Sequence, residues 1–185
     1  SRRLNVDMLN RFGLKIPENL EEFWNVCETL KQNGILPYGG NRDFGISVPV
    51  MCAGLGALYQ DPQSVELVAD LASGETPIST YMEDGFRFLQ TMIDKEYMDV
   101  ERTLATLPDT EEEISFFAEE NCAFISSICR TKAFSHDYPF QVEMTALPVL
   151  PQGAVCVVGA AQRLAVNPKS EHLQETLMIV ENLCT

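Results

Sequence analysis

The sequence is poor in the residues and motifs that most often carry enzymatic or metal chemistry. It has two histidines, His136 and His172, and its six cysteines form no Cys-x-x-Cys pair. It contains no Gly-x-Ser-x-Gly motif, no Gly-x-Gly-x-x-Gly motif and no phosphate loop. We therefore expect no enzyme, no cofactor and no metal site. His136 precedes Asp137 in an aromatic loop, which leaves a hydrolase that uses Asp137 as an alternative.

Basic residues are also scarce. The chain has 13 Lys and Arg against 27 Asp and Glu, which gives a formal net charge of −14 at pH 7. Nucleic acids and anionic membranes attract proteins through Lys and Arg, so this balance argues against both as direct partners. No apolar run approaches the ~18 to 20 residues that a membrane span needs. At roughly 150 residues per domain, 185 residues indicate one domain with its own core.

A well-marked helix follows Asn19. The Asn19 side chain can accept a hydrogen bond from the free amides of the first turn, while Glu22 can reach back to the Asn19 amide. Gly34 supplies the left-handed residue at which helices commonly end. Apolar residues repeat at helical spacing on one stripe, which includes the single tryptophan as a core residue: Leu20, Phe23, Trp24, Cys27 and Leu30.

Helical and strand patterns alternate along the rest of the chain. We expect strands at 35–38, 122–127 and 155–166, and helices at 48–59, capped by Ser47, and from Ser170 onward. Residues 65–72 fit a helix or a hairpin. Two further capping boxes predict two more helices: Thr80 and Glu83, before a face of Met82, Phe86, Leu89 and Ile93, and Thr110 and Glu113, before Ile114 and Phe117. Strands interleaved with helices predict an α/β layer fold.

The cysteines fit an apolar interior. Cys27, Cys52 and Cys156 lie within apolar patterns, and a free cysteine behaves as a small buried hydrophobic residue. We interpret them as free thiols. An exported protein could instead pair some of the six.

Several segments, in this order, carry a resemblance to a known family. The first is Asn5 to Pro17, running on through Leu20-Glu21-Glu22-Phe23 to Pro37; the others are Met82 to Met98, Glu120 to Ser127, Leu147 to Pro151 and Val166 to Ser170. Together they resemble the second lobe of extracellular solute-binding proteins of the sugar-binding group, family 1. Proteins of this family are the receptors of ABC importers.

The resemblance implies a fold and a division of the chain. The fold is a periplasmic-binding-protein-like type II lobe, α/β, with a mixed sheet flanked by helices. Residues 1–152 would form the second-lobe domain. Residues 153–185 would form the hinge return strand and helix that join lobe one, with Gly159 at the hinge. Because the chain opens with Ser1 and ends in an amphipathic pattern, we expect a piece of a longer protein.

The resemblance also implies a function. The protein would capture a small solute, with a carbohydrate favoured, and present it to an ABC permease in the membrane. It would be a monomer outside the cell or at the cell surface, with a lipid anchor in the full-length protein. The alternative is a ligand-sensing ectodomain of a signalling receptor built on the same fold.

By resemblance, two loops contact the solute in the cleft between lobes. The first supplies Tyr38, Asn41, Arg42, Asp43 and Phe44. The second follows the 122–127 strand, where the family often has Gly-x-Trp, and here Arg130 falls close to the place of the indole. Because Arg can pair bidentately with a carboxylate, this departure leaves room for an acidic sugar. An ordinary polar surface turn is the alternative for the first loop.

Overall fold

The computed structural model describes residues 2–108, 110–126, 136–155 and 165–183. Within these ranges the chain forms four strands and eight helices. The strands are β1 (Arg2–Asn5), β2 (Leu36–Gly39), β3 (Cys122–Ser126) and β4 (Val142–Thr145). The helices are α1 (Val6–Arg11), α2 (Leu20–Gln32), α3 (Phe44–Gln60), α4 (Ser64–Ser73), α5 (Ser79–Asp94), α6 (Val100–Ala105), α7 (Glu111–Ala118) and α8 (Leu173–Leu183).

The four strands form one mixed sheet in the order β2-β3-β1-β4. β2 pairs parallel with β3, with Tyr38 opposite Phe124, whereas β1 runs antiparallel to both β3 and β4. All five side chains of β3 are buried, as expected for a central strand covered on both faces. The predicted α/β fold with a mixed sheet flanked by helices is confirmed.

The helix predicted after Asn19 is confirmed as α2. Asn19 Oδ1 accepts a hydrogen bond from the Glu22 amide at 2.9 Å, and Gly34 adopts φ +75° after the last turn. The Glu22 carboxylate reaches the Glu18 amide at 2.9 Å, one residue before the predicted partner. Trp24 packs against the core, with its ring centroid 5.0 Å from that of Phe88.

Helices α3 and α5 cross at close range because glycines lie at the contact. A Cβ atom added to Gly85 would lie 2.4 Å from the Val50 carbonyl oxygen and 3.2 Å from the Gly54 nitrogen. The buried face of α5 is therefore built from Met82, Gly85, Phe88 and Met92. The predicted face included Phe86, which is 60% exposed, because the sequence pattern gave no weight to a glycine as the contact residue.

Several predicted helix boundaries are wrong. α3 begins at Phe44, so Ser47 lies inside the helix. α5 begins at Ser79, so Thr80 lies inside its first turn, and Ile78 at the N-cap position makes no side-chain cap. The last helix begins at Leu173, after a turn at Ser170. The ambiguous 65–72 segment is the helix α4.

Three cysteines lie in the described ranges, and no disulfide joins them. Cys27 and Cys122 are buried and Cys52 is partly buried, as predicted. Burial raises the pKa of the Cys122 thiol to about 12, so this thiol stays protonated at neutral pH. Cys129, Cys156 and Cys184 lie outside the described residues, as does most of the strand predicted at 155–166.

Several apolar residues of α8, the last described helix, are exposed to solvent. Leu177, Met178 and Ile179 are exposed, the latter two by more than half of their side-chain surface. The assignment of residues 1–152 to the second lobe, and of residues 153–185 to the hinge return strand and helix that join lobe one, stays a prediction. In the described part of the chain, no helix combines the length and the apolar character needed to cross a bilayer.

Replacing Gly85 with Ala should destabilise the fold, because the added methyl group must push α3 away from α5. We expect a loss of about 1–3 kcal/mol in the free energy of unfolding, as in other overpacked cores. This loss should appear although Ala favours a helix over Gly by about 1 kcal/mol. Urea unfolding of Gly85→Ala measures it, with Gln90→Ala on the exposed face of α5 as the control. Equal stability of Gly85→Ala and the parent chain would contradict the close crossing.

Candidate functional site

The first predicted ligand loop lies at one edge of the sheet, beside the end of β3. Because β2 and β3 are parallel, their carboxyl ends lie side by side, with Gly39 opposite Ile125. The loop 40–43 leaves β2 at this edge, and Ser126 ends β3 there. In open α/β sheets, ligands bind outside the carboxyl ends of the strands. The topology therefore brings the first predicted loop beside Ser126, the last residue of β3.

Asn41 lies fully buried beneath this edge. Its Oδ1 accepts hydrogen bonds from the amides of Phe44, at 2.9 Å, and Gly45, at 3.0 Å. Its Nδ2 donates to Glu113 Oε1 at 2.6 Å and to the Ser126 carbonyl at 3.3 Å. Asn41 thus caps α3, the role that we predicted for Ser47, and its side chain faces the protein interior.

Glu113 also differs from its predicted role. Thr110 Oγ1 accepts a hydrogen bond from the Glu113 amide at 3.3 Å, as expected of a helix cap. The Glu113 side chain, however, is fully buried and contacts Asn41 instead of closing a capping box. A buried carboxyl group needs hydrogen-bond partners inside the protein, and Asn41 Nδ2 is one of them.

Tyr38 is buried, and its hydroxyl group hydrogen-bonds to helix α3 instead of facing the surface. Pro49 lies inside α3 and has no N–H group to donate to the carbonyl of Gly45, four residues earlier. The Tyr38 hydroxyl donates to that carbonyl at 2.8 Å, in a buried setting. The hydroxyl therefore replaces the helix bond that proline cannot make.

The remaining predicted residues of this loop face solvent. The side chains of Arg42 and Asp43 are 52% and 53% exposed, with Arg42 Nε 3.9 Å from Asp43 Oδ1. Phe44 is 37% exposed at the start of α3. The structure thus brings a guanidinium, a carboxylate and an aromatic ring together at one surface. Their role in binding stays a prediction, and Arg130 lies outside the described residues.

Beside this surface lies an open groove of about 430 Å³, which the sequence did not reveal. It runs between α3 and the carboxyl ends of β3 and β4. Its lining is mainly apolar: Val48, Pro49, Cys52, Ser126, Met144, Thr145, Ala146, Leu147, Val149 and Val155. The sequence signal for the groove is the apolar character of α3 on nearly all sides. One of these apolar faces forms the wall of the groove instead of packing in the core.

The alternative site at His136 and Asp137 has a different environment. The His136 ring packs 4.7 Å from the ring centroid of Tyr138, and Asp137 is exposed. The buried Arg3 donates a hydrogen bond to the Tyr138 hydroxyl. Burial raises the pKa of Tyr138, and the nearby Arg3 opposes that shift. In the ranges described, no three potential metal-ligating side chains come together.

The sheet order, the flanking helices and the polar loop at the parallel strand ends describe an α/β lobe built on a mixed sheet.

Solved structures show the same fold over most or all of the chain. A sugar transporter from Bacillus licheniformis, in complex with stachyose, is 17% identical with a TM-score of 0.65, and the match covers 100% of this chain and 49% of that one. A binding protein from Bacillus subtilis subsp. subtilis str. 168, in an open conformation, is 16% identical with a TM-score of 0.69, covering 98% and 47%. A family 1 extracellular solute-binding protein from Bifidobacterium longum subsp. infantis is 13% identical with a TM-score of 0.66, covering 83% and 42%.

These likenesses confirm, at the level of the fold, the resemblance drawn from the sequence. The chain spans about half the length of the solved structures that it matches. No protein-family model and no curated protein matches the chain. The solved structures offer no support for the sensor alternative.

Replacing Tyr38 with Phe should destabilise the start of α3. The substitution keeps the ring but leaves the buried Gly45 carbonyl without the hydroxyl donor, which typically costs about 1–3 kcal/mol. Urea unfolding measures the difference from the parent chain. Tyr59→Phe, at the exposed far end of α3, is the matched control and should stay within about 0.5 kcal/mol. Equal effects of the two substitutions would show that the Gly45 carbonyl does not depend on Tyr38.

Proposed function

We propose that this chain is the second lobe of a solute-binding receptor that captures a small solute, a carbohydrate in the first place, for an ABC importer. The observation that carries the proposal is the exposed group of Arg42, Asp43 and Phe44 at the carboxyl edge of the sheet. It occurs in a fold shared, over the whole chain, with a sugar transporter in complex with stachyose.

The chemistry of this exposed group suits a sugar. An aromatic side chain such as Phe44 offers an apolar face on which the C–H face of a pyranose ring can stack. Asp43 accepts hydrogen bonds from hydroxyl groups, and Arg42 donates in a fixed fork. Because both side chains are about half exposed, they can change partners without leaving a buried charge unpaired.

Capture would follow the closure of two lobes. In this proposal residues 1–152 form the second lobe, and residues 153–185 return through the hinge to lobe one, where the apolar face of α8 would pack. Hinge closure around a ligand requires only a few residues to change φ and ψ. The receptor would act as a monomer at the cell surface, held by a lipid anchor, and pass the solute to the permease. No bond of the solute would be broken.

In this proposal Arg130 determines whether the receptor prefers an acidic or a neutral sugar. Among the described residues, the lining of the apolar groove beside Ser126 contains no Lys or Arg, and the exposed loop group 42–44 contains one cation, Arg42. An Arg130 side chain directed to the cleft would add a donor for a carboxylate. A uronic-acid oligosaccharide would then bind in preference to a neutral one.

The test is a thermal-shift titration of the intact protein that contains this chain. Stachyose and a galacturonic-acid oligosaccharide are the two probes. A ligand at 100 times its dissociation constant stabilises the native state by about 2.7 kcal/mol, which raises the melting temperature by several degrees. We expect Asp43→Asn to weaken binding of either probe about tenfold or more, because a charged hydrogen-bond acceptor is lost.

Asp61→Asn is the matched control, since it removes the same charge at the opposite end of α3. Arg130→Ala should weaken binding of the acidic probe more than that of stachyose. A shift with neither probe, or equal binding by the Asp43→Asn and Asp61→Asn variants, would overturn the proposal that this loop binds sugars.

A further inference from the structure

The buried Asn41 side chain joins three elements that are distant in sequence. Its four hydrogen bonds reach the start of α3, the end of β3 and the Glu113 carboxyl group on α7. The Ser126 hydroxyl adds a longer contact, 3.4 Å, to the Phe44 carbonyl. The last residue of β3 is therefore bonded to both ends of the 41–44 loop.

Glu113 fixes the orientation of the Asn41 amide. A carboxylate only accepts hydrogen bonds, so it selects the Nδ2 side of the amide, and the Oδ1 side must then face the amides of Phe44 and Gly45. Without an acceptor at this place, the buried Nδ2 would lose its shortest hydrogen bond. The opposite orientation of the amide would place a donor against the two backbone N–H groups.

We propose that Glu113 and Asn41 are positioning residues that hold the 41–44 loop and the end of β3 as one unit. Glu113 is the fixed point, because it is fully buried on α7 and does not face the proposed cleft. Asn41 transmits that position to the backbone of Phe44 and, through the Ser126 carbonyl, to the end of β3. The relevance for ligand affinity rests on the proposed function; the positioning itself does not.

The test compares the protection of single backbone amides against hydrogen exchange in the 185-residue chain. The Phe44 and Gly45 amides report on the loop, and the Cys27 and Leu30 amides in α2 report on global unfolding. Glu113→Leu removes the acceptor at similar side-chain size. Glu112→Leu, at the exposed neighbouring position of α7, is the matched control.

A second pair of variants exchanges the two side-chain groups. Asn41→Asp keeps an oxygen for the Phe44 and Gly45 amides but places two carboxyl groups against each other. The double variant Asn41→Asp with Glu113→Gln restores the hydrogen bond between residues 41 and 113 in the reverse direction, although the bond to the Ser126 carbonyl is not restored. If Glu113→Leu fails to fold, the comparison of this double variant with Asn41→Asp still tests the proposal.

We expect Glu113→Leu and Asn41→Asp to speed exchange at Phe44 and Gly45 about tenfold more than at Cys27 and Leu30. The double variant should protect the loop better than Asn41→Asp alone, and Glu112→Leu should leave the protection unchanged. Equal acceleration at the loop and in α2, an unchanged loop, or a double variant that is no better than Asn41→Asp would each overturn the proposal.

Stachyose titration of the same variants in the intact protein separates the two proposals. Weaker binding by Glu113→Leu than by Glu112→Leu shows that the positioning matters for affinity. If the unsubstituted protein does not bind stachyose, the failure concerns stachyose as a ligand of the proposed receptor. The exchange measurements then still support or overturn the positioning pair.

Discussion

The polar atoms of a buried asparagine need hydrogen-bond partners inside the protein. At the carboxyl ends of β2 and β3, this need determines how the loop after β2 is held. Asn41 has two acceptor positions on Oδ1 and two donor positions on Nδ2, and the structure supplies a partner for each. Those partners come from α3, β3 and α7. The loop after β2 can adopt its conformation only when all three elements are in place, so the candidate site is a product of the whole lobe.

Close contacts of the backbone also hold the loop after β2 in its conformation. A Cβ atom on Gly39 would lie 2.6 Å from Cys122 Sγ, so this glycine allows β2 to enter the loop against β3. Tyr38 then reaches under the loop to the Gly45 carbonyl that Pro49 leaves without a helix donor. Tyr38, before Gly39 and Gly40, and Asn41, after them, are thus buried and support the loop. Arg42, Asp43 and Phe44, which follow, face solvent. The loop combines a rigid base with an accessible surface, the arrangement that a binding site needs.

Much of the fold could be predicted because its signals are local. The cap at Asn19, the helix end at Gly34, the strand before Gly39 and the helix break at Asp61 each depend on a few neighbouring residues. The face of α5 could not be predicted in the same way. A hydrophobic pattern favours large apolar residues such as Phe86, yet α3 selects the face that carries Gly85, where its backbone can approach.

Local sequence patterns predicted the strands β2 and β3, several of the helices and the loop in which ligand-type residues gather, but not the strands β1 and β4. The tertiary structure decided which of those residues are available to a ligand. Asn41 and Tyr38 are buried, and Arg42, Asp43 and Phe44 are exposed. The physical reason is distance along the chain. The partners that draw Asn41 inward lie 72 and 85 residues away, at Glu113 and Ser126, and only folding brings them within a hydrogen bond.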